Sequence, residues 1–438
     1  MKFKPYPSYK DSGIEWLGEV PKHWDIKRLR FIATYKNSNV DKKSYEDQMP
    51  VRLCNYTDVY YHEFITNSLS FMTATASKAE IESMSLALGD VIITKDSEDS
   101  SDIGIPAIVS EVLDNVVCGY HLTVISSKKL DTNRFIHRCI QSEATKFYFY
   151  LRSPGITRFG LNQDTIGNIP ITYPSLNEQT AIANFLDRET RRIDALVEEK
   201  NHFIGLLKEK RQALISHVVT QGLDSTVKMK DSGVEWLGEV PEHWAIKKIK
   251  HLFEIRKRIA GIEGYPVLSI TQRGIKVKDT ISGEGQLSMD YSKYQFVEIG
   301  DFAMNHMDLL TGYVDISNFH GVTSPDYRVF ALTDAKSVDR YFLYLMQMGY
   351  KNKIFFSYGQ GIANLGRWRL QTDSFNNFSV PYPSKLEQQQ IVSFLDNQST
   401  KIDALITETQ QSIALLKEHR IALISAAVTG KIDVREVA

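Results

Sequence analysis

The sequence has few cysteines and no long apolar run, and both absences narrow the class of protein. Only three of the 438 residues are cysteine, Cys54, Cys118 and Cys139, and no C-x-x-C pair occurs. This spacing suggests neither a disulfide framework nor a zinc site, and it fits a reducing compartment. No stretch approaches the roughly 18 apolar residues of a membrane span, and the opening MKFKPYPSYK lacks the apolar core of a signal peptide. We therefore expect a soluble, cytoplasmic protein without membrane contact.

Motifs of several enzyme classes are also missing. There is no Pro-Pro pair, hence no D/N-P-P-Y/F amino-methyltransferase loop, and no G-x-x-x-x-G-K-[ST] phosphate loop. Pro325-Asp326 is not followed by the acidic-x-Lys sequence that would complete a nuclease metal site. H-E-x-x-H, G-x-S-x-G and a credible Cys–His pair are absent as well. We expect no catalytic residue, no metal site and no cofactor in this chain.

A short segment rich in tryptophan occurs twice. Residues 10–24 read KDSGIEWLGEVPKHW, and residues 230–244 read KDSGVEWLGEVPEHW. We name these the clasp segments, because their positions predict that each ties the block after it to the end of a helix. We expect their tryptophans to be packing anchors, not ligand contacts: Trp16, Trp24, Trp236 and Trp244.

A longer segment is duplicated too. Residues 173–224 align without gaps to residues 382–433, with 27 identities in 52 positions. The blocks between the repeated segments, about 25–172 and 245–381, resemble each other only faintly, as in LGDVIITK against IGDFAMNH. Neutral drift after duplication is the alternative explanation, but drift would blur every part alike. The clasp and long segments are therefore closely similar between the two halves, whereas the blocks that they enclose have diverged.

Each copy of the longer segment predicts a long helix. Both open with a Ser-x-x-Glu capping box, Ser175/Glu178 and Ser384/Glu387, and apolar residues then recur at three-four spacing without a proline. Forty-odd residues make roughly 65 Å of helix, which favours a coiled-coil pair; a break near 187–191 is the alternative. A two-fold relation between the halves requires antiparallel helices. The expected helix seam, also a partner-docking surface, contains Ile193, Leu196, Leu207, Leu214, Ile402, Leu405, Leu416 and Leu423.

A second group of apolar residues runs beside this seam: Val197, Ile204, Ile215 and Val219. Two helices that face each other use one narrow stripe. The surplus predicts that helices of a partner dock here, and coverage by the two divergent blocks is the alternative.

The divergent blocks predict mixed α/β structure. β-branched and aromatic residues favour strands at 90–95, 115–126, 265–271 and 326–332. One amphipathic helix is predicted in each block, at 132–152 with Thr132 or Asn133 as cap, and at 338–356 with Ser337 or Asp339 as cap. The expected fold class is α/β (α+β): two mixed α/β domains separated by two long antiparallel coiled-coil helices, with an internal pseudo-two-fold repeat.

A glycine-rich, basic and polar loop follows each predicted amphipathic helix, at 152–168 and 357–377. Glycine permits close backbone approach, arginine suits phosphate or guanine, and asparagine and glutamine suit adenine. The net charge is only −1, so a DNA site must be a local patch. A solvated loop is the alternative. The candidate DNA contacts are Arg152, Arg158, Asn162, Gln163, Gln360, Asn364, Arg367 and Arg369.

Taken together, these features resemble the specificity subunit of type I restriction–modification systems. The resemblance rests on DSG[IV]EWLGEVPxHW in both clasp segments and on the shared YPSxxEQ, FLD, IDAL, LLKE and ALIS stretches of the long segments, and it covers essentially the whole chain. It implies a non-catalytic subunit whose two target-recognition domains each bind one half of a bipartite double-stranded DNA site. It also implies that the helices set the spacer and dock two modification (methyltransferase) subunits. S-adenosylmethionine, ATP and Mg are then expected on partner subunits, and restriction subunits can join.

The expected organisation has six parts: clasp segments in 1–24 and 225–244, target-recognition domains in 25–172 and 245–381, a central long helix in 173–224, and a C-terminal long helix with tail in 382–438. A coiled-coil scaffold that binds only proteins is the alternative function. The missing motifs disfavour a self-sufficient methyltransferase or nuclease. The sequence does not specify which bases are read, which residues touch bases and which touch phosphates, the spacer length, or whether restriction accompanies modification.

Overall fold

The structure, a computed structural model, describes residues 4–280, 288, 290–361 and 368–436. It consists of two compact units. Unit 1 comprises Met1–Lys200 with Gln410–Ala438, and unit 2 comprises Asn201–Thr409.

Short strands and helices build the first half of the chain. Its strands within the described residues are β1 (Tyr9–Asp11), β2 (Glu19–Pro21), β3 (Asp25–Arg28), β4 (Thr34–Asn37), β5 (Met49–Cys54), β6 (Phe64–Ile65), β7 (Met72–Ala76), β8 (Val91–Thr94), β9 (Asp96–Ser97), β10 (Pro106–Val109), β11 (Val116–Cys118), β12 (Leu122–Ser126), β13 (Phe159–Gly160) and β14 (Pro170–Tyr173). Its helices are α1 (Tyr56–Tyr61), α2 (Lys78–Met84), α3 (Leu130–Gln141), α4 (Glu143–Arg152), α5 (Gln163–Gly167) and α6 (Leu176–Gln221).

The second half is built in the same manner. Its strands within the described residues are β15 (Met229–Asp231), β16 (Glu239–Pro241), β17 (Ala245–Lys248), β18 (Phe253–Ile255), β19 (Leu268–Thr271), β20 (Gly274–Val277), β21 (Gln295–Val297), β22 (Phe302–Met304), β23 (Val314–Ile316), β24 (Gly321–Thr323), β25 (Arg328–Leu332) and β26 (Ser379–Tyr382). Its helices are α7 (Asp339–Lys351), α8 (Ile354–Ser357), α9 (Thr372–Asn377) and α10 (Lys385–Val428).

The central sheets of the two units share a strand order. In unit 1 the order is β4-β12-β8-β10-β6, and in unit 2 it is β18-β25-β22-β23. The strands β8 and β22 follow the Gly-Asp pairs that the sequence comparison aligned. The faint likeness between the divergent blocks therefore reflects a common sheet, and the strand predictions at 90–95, 265–271 and 326–332 are confirmed in their interiors. The strand predicted at 115–126 is two strands, β11 and β12, because the chain turns at Gly119.

Each clasp segment anchors its unit through a buried tryptophan. Trp24 and Trp244 are fully buried, and their indole N–H groups donate to Glu178 and Glu387 at 3.3 and 3.1 Å. These glutamates are the capping-box residues of α6 and α10, so one carboxylate both caps a helix and holds the clasp. Packing-anchor roles are confirmed for these tryptophans. The half-buried Trp16 and Trp236 pack on Tyr148 and Phe378.

The C-terminal tail packs beside the N-terminal segment within unit 1, as the repeat requires. The amide of Asp433 donates to the Lys4 carbonyl at 2.8 Å, and the Tyr9 hydroxyl donates to the Gly430 carbonyl at 3.0 Å. The positive φ of Gly430, 72°, and the 2.3 Å from a built Cβ to Pro21 show why this position is glycine.

The long helices α6 and α10 are continuous, so the break near 187–191 does not occur. Within unit 1, Thr172 bonds Val428 and Asp194 pairs with Arg420. Residue numbers rise from Thr172 into α6 while those of the contacting residues on α10 fall, so the two helix segments in this unit are antiparallel. The helix segments of unit 2 are antiparallel too. Arg211 pairs with Asp403, and the Tyr341 hydroxyl lies within hydrogen-bond distance of both the Val219 and the Pro381 carbonyl.

Two helix predictions need correction. The single helix expected at 132–152 is divided into α3 and α4 at Ser142, whose hydroxyl accepts from the Thr145 amide and starts a new helix. The helix expected at 338–356 ends at Lys351, and Lys353 adopts a left-handed φ of 58° before α8. The expected caps were also wrong, because Lys129 and Val338 occupy the N-cap positions.

Candidate nucleic-acid interface

Both units carry the same turn before the strand β8 or β22. Gly89 and Gly300 have a φ of 88°, which favours glycine, and the aspartates that follow are buried. Asp90 accepts from the Ala87 amide at 2.8 Å and Asp301 accepts from the Glu298 amide at 3.0 Å. The turn therefore fixes where the end of each strand emerges.

The glycine-rich basic loops are held against these strand ends by backbone hydrogen bonds. In unit 1 the Leu161 amide donates to the Lys95 carbonyl at 2.8 Å, and in unit 2 the Leu370 amide donates to the His306 carbonyl at 3.0 Å. Lys95 and His306 occupy equivalent positions after the Gly-Asp turns. The two loops are thus attached to their sheets by equivalent backbone hydrogen bonds, although their sequences differ.

A cavity of about 490 Å³ opens beside this attachment in unit 1, and we name it cavity 1. Aromatic rings form one wall, with Tyr56 stacked on Tyr60 at 5.5 Å and Tyr61 edge-on to Tyr60. The Tyr60 hydroxyl donates to Asp102 at 2.7 Å, and this bond raises the pKa of Tyr60 to about 12. The remaining lining residues are polar or charged: Lys42, Thr57, Asp96, Ser97, Glu98, Asp99, Tyr120, His121 and Arg158.

A chain of three side chains crosses cavity 1. His121 Nδ1 lies 2.7 Å from an Asp96 carboxylate oxygen. A carboxylate can only accept, so Nδ1 donates to Asp96. The Nη2 of Arg158 contacts the same ring, 3.1 Å from Nδ1 and 3.3 Å from Nε2. Strand β13 pairs with β9 at Gly160 and Asp96, which brings the Arg158 loop to this place.

Unit 2 has a cavity of about 480 Å³ at the equivalent strand end, and we name it cavity 2. Its lining differs in chemistry, with Val267, Leu268, Ser269, Lys278, Ser288, Tyr294, Asn305, Met307, Asp308, Ser324, Asp326 and Tyr327. The adjacent His306 is half-buried. Burial, together with the charges of Arg328 and Arg369, lowers its pKa to about 3, so its imidazole is neutral at pH 7. One frame therefore supports two different polar surfaces.

The DNA contacts predicted for unit 1 do not all lie in one place in the structure. Arg158 is exposed in cavity 1, whereas Arg152 stacks over the Tyr148 ring at 4.7 Å in another cleft. Asn162 caps α5 by accepting from the Thr165 amide at 2.7 Å, which gives it a structural role. Gln163 is exposed at the start of α5.

The predicted contacts of unit 2 are only partly within the described residues. Gln360 and Arg369 exchange backbone hydrogen bonds at 3.0 Å, and the Arg369 side chain is exposed. Asn364 and Arg367 lie outside the described residues. DNA contact by any of these residues stays a prediction.

The seam residues are mostly buried or half-buried. Ile193, Leu207, Ile402 and Leu423 are buried, and Leu196, Leu214 and Leu416 are half-buried. The prediction that Leu405 belongs to the seam is wrong. Leu405 is 44% exposed, and the next residue, Ile406, is buried in its place. Partner docking on these residues stays a prediction.

The second apolar group packs against the cores of the two units. Val197 packs on the core of unit 1, and Ile215 and Val219 pack with the core of unit 2. Val197 and Ile215 stay half-buried and Val219 is buried, so docking of a partner's helices on this face stays a prediction. Ile204 is buried as well. Exposed apolar side chains remain elsewhere on the helices, at Leu206 and Leu415.

Sequence reasoning missed Asp96, His121 and the tyrosines of α1. No local motif marks them, because the sheet brings together strand ends that are distant in the chain. Among the described residues, no helix is long and apolar enough to cross a membrane, and no cluster of three or more His, Cys, Asp or Glu side chains is placed to hold a metal ion.

Two units, each with a central sheet, antiparallel segments of both long helices and a polar cavity beside a glycine-rich loop, define a duplicated α/β protein. The family described as type I restriction modification DNA specificity domain matches residues 21–204 and again residues 241–415. The chain belongs to this family.

Known proteins of similar sequence carry related descriptions. The chain is 22% identical over 322 residues to the type I restriction enzyme EcoKI specificity subunit of Escherichia coli, covering 69% of this chain and 63% of that protein. It is 23% identical over 288 residues to the MjaVIII specificity subunit of Methanocaldococcus jannaschii, covering 62% and 64%. These alignments span less than two thirds of either relative.

Solved structures show the same fold over almost the whole chain. A chain from work on complex assembly and conformational transition of the type I R-M system has a TM-score of 0.66 at 14% identity, covering 93% of this chain and 98% of that one. The HsdS subunit from Thermoanaerobacter tengcongensis has a TM-score of 0.52 at 14% identity, with coverages of 94% and 98%.

Proposed function

We propose that this chain is the DNA sequence-specificity subunit of a type I restriction–modification complex, with each unit binding one half of a bipartite double-stranded site. One observation carries the proposal: cavity 1 and cavity 2 occupy equivalent positions in a repeated frame and have different linings. Base edges are distinguished by their donor and acceptor patterns, so two linings suit two half-sites. Family membership supports the same conclusion.

In this proposal, partner subunits carry out the catalytic reactions. The chain is non-catalytic and acts in the cytoplasm, and two modification subunits bring S-adenosylmethionine, while restriction subunits, when present, bring ATP and Mg. The exposed Leu206 and Leu415 support docking on the helices, since the 209-residue offset of the repeat makes them equivalent and each is solvent-exposed. A pair of equivalent apolar positions suits two copies of one partner.

A block exchange tests the proposal. Residues 25–172 are replaced by the corresponding block of another family member, the chimera is co-expressed with the modification subunit, and methylated sites are mapped. We expect one half of the methylated motif to change and the other to persist. Replacement of 245–381 is the matched exchange and should alter the opposite half. A change in both halves, or in neither, would contradict independent recognition by the two units.

The helices are proposed to set the spacer between the half-sites. Four residues inserted between Glu199 and Lys200 add roughly 6 Å of helix, and DNA rises about 3.4 Å per base pair. Because α10 is unaltered, part of the added length can be lost as a bulge. We expect the spacer to lengthen by about one or two base pairs with both half-sites unchanged. An active variant that keeps the original spacing would reject this role.

A further inference from the structure

Cavity 1 has the donor and acceptor arrangement of a reader for one kind of base pair. Arg158 is exposed and is tethered through Nη2 to the His121–Asp96 pair. No other hydrogen-bond acceptor engages Arg158 in the part of the chain that the structure describes. Nε and Nη1 therefore remain available to a ligand, in a side chain that is already oriented.

A tethered guanidinium and a carboxylate in one cavity match a G·C pair. Guanine presents O6 and N7 as neighbouring acceptors in the major groove, and a guanidinium donates to both at once. The N4 amine of the paired cytosine donates, and carboxylates accept from it. Glu98 supplies an exposed carboxylate among the residues that line the same cavity.

The other carboxylates of cavity 1 already form hydrogen bonds within the protein. Asp96 is engaged with His121, Asp102 with Tyr60, and Asp99 with the Ser101 amide and hydroxyl. Two cationic side chains, Arg158 and Lys42, line the cavity, and only the guanidinium can donate two parallel N–H bonds to one base edge. The donor that fits is thus Arg158, and the acceptor is Glu98. The tyrosine wall supplies apolar contact area on one side of the cavity.

We propose that unit 1 reads a G·C base pair in cavity 1, with Arg158 contacting guanine, Glu98 contacting cytosine, and His121 and Asp96 acting as positioning residues for Arg158. The inference rests on the proposed function and assigns the base pair and the residues. A phosphate contact by Arg158 is the competing explanation, and it predicts a different response to a lysine substitution.

The test maps methylated sites for complexes of modification subunit with the wild-type chain or with Arg158→Lys, Glu98→Gln or His121→Ala. Lysine keeps the charge for a phosphate but loses the two-pronged contact with guanine. Arg158→Lys should therefore reduce discrimination about 5- to 140-fold at one G·C position of one half-site. Glu98→Gln and His121→Ala should relax the same position. The other half-site is the internal control, and Lys78→Ala, an exposed lysine of α2 outside the cavity, should leave the whole motif unchanged.

Binding of the purified complexes to oligonucleotides altered at one position at a time measures the same discrimination without methylation. A wild-type complex that methylates no bipartite motif would overturn the proposed function. A wild-type complex with a bipartite motif, but with an unchanged motif in Arg158→Lys or relaxation scattered over several positions, would overturn the assignment of cavity 1 alone.

Discussion

Asp194 and Arg420 form a two-pronged ion pair, with Nε and Nη2 of the arginine 2.9 and 3.1 Å from the two carboxylate oxygens. The 209-residue offset makes Arg211 and Asp403 the corresponding residues of unit 2, and they are paired at 2.5 Å. The environments differ, because Arg420 is 18% exposed and also binds Glu63, whereas Arg211 is 34% exposed and Asp403 is 60% exposed.

Removing these arginines should therefore have unequal effects. Arg420→Ala leaves Asp194 without its partner and Glu63 with only Arg138, in a largely buried site, and should cost about 2–4 kcal/mol of unfolding free energy. Arg211→Ala, the matched control, breaks an exposed pair and should cost less than about 1 kcal/mol. Guanidinium titrations followed by circular dichroism give both values. Equal losses would show that burial does not decide the strength of these pairs.

Glu63 should make the stability of unit 1 fall in acid. Burial raises its pKa, but Arg138 and Arg420 outweigh this effect and lower the pKa from 4.5 to about 2. Because the folded pKa is the lower one, the stabilisation is present above about pH 4.5 and is lost as the pH falls through about 2. Glu63→Gln should cost about 3 kcal/mol at pH 7, with a smaller difference from wild type at pH 3. A difference that does not change with pH would contradict this role.

Gly430 and Gly233 offer a test of close packing at nearly equal φ. Their φ values are 72° and 70°, but a Cβ at Gly430 would lie 2.3 Å from Pro21, whereas one at Gly233 meets nothing within 4 Å. Gly233→Ala should cost about 1–2 kcal/mol from backbone strain alone. Gly430→Ala should cost about 1–3 kcal/mol more, because the tail must shift away from the clasp. Thermal unfolding of both variants measures the difference, and similar melting temperatures would refute the packing argument.

The proximity of the chain ends within unit 1 predicts a tolerated circular permutation. Lys4 and Glu436, the first and last described residues, lie 3.6 Å apart at their charged groups, so a short linker can join these two positions. A permutant opened in the exposed 223–226 segment should fold and assemble as the wild type does. The control is opened between Ile92 and Ile93, inside a buried strand, and should not fold. Circular dichroism spectra and melting curves decide the comparison.

Local chemistry explains which parts of the fold could be predicted. The capping boxes at Ser175 and Ser384 and the uninterrupted apolar spacing identify α6 and α10, because each signal lies within a few residues of its effect. Ser142 was overlooked as a start signal inside an amphipathic stretch, although serine before glutamate is a common N-cap context. Leu405 and Ile406 show the limit of periodicity, since a seam shifted by one residue exchanges an exposed and a buried side chain.

The candidate site could be predicted only in part, for a topological reason. Arg158 lies in a glycine-rich loop that the sequence marks, but Asp96, at the start of β9, and His121, just before β12, are separated in sequence by the strands β10 and β11. They meet because β12 pairs with β8 in the sheet. Pairing between distant strands leaves no periodic trace in a single sequence, so the residues that orient Arg158 could not be identified without the fold.

The side chains of Leu161 and Leu370 are buried in the cores, but the hydrogen bonds that attach the two loops there join main-chain atoms. An amide and a carbonyl are present at nearly every residue, so these bonds make little demand on which side chains the loop carries. Substitutions at exposed loop positions can then alter the face presented to a ligand and leave the attachment of the loop, and the free energy of folding, almost unchanged. New preferences can thus arise by small steps, each made in a chain that still folds.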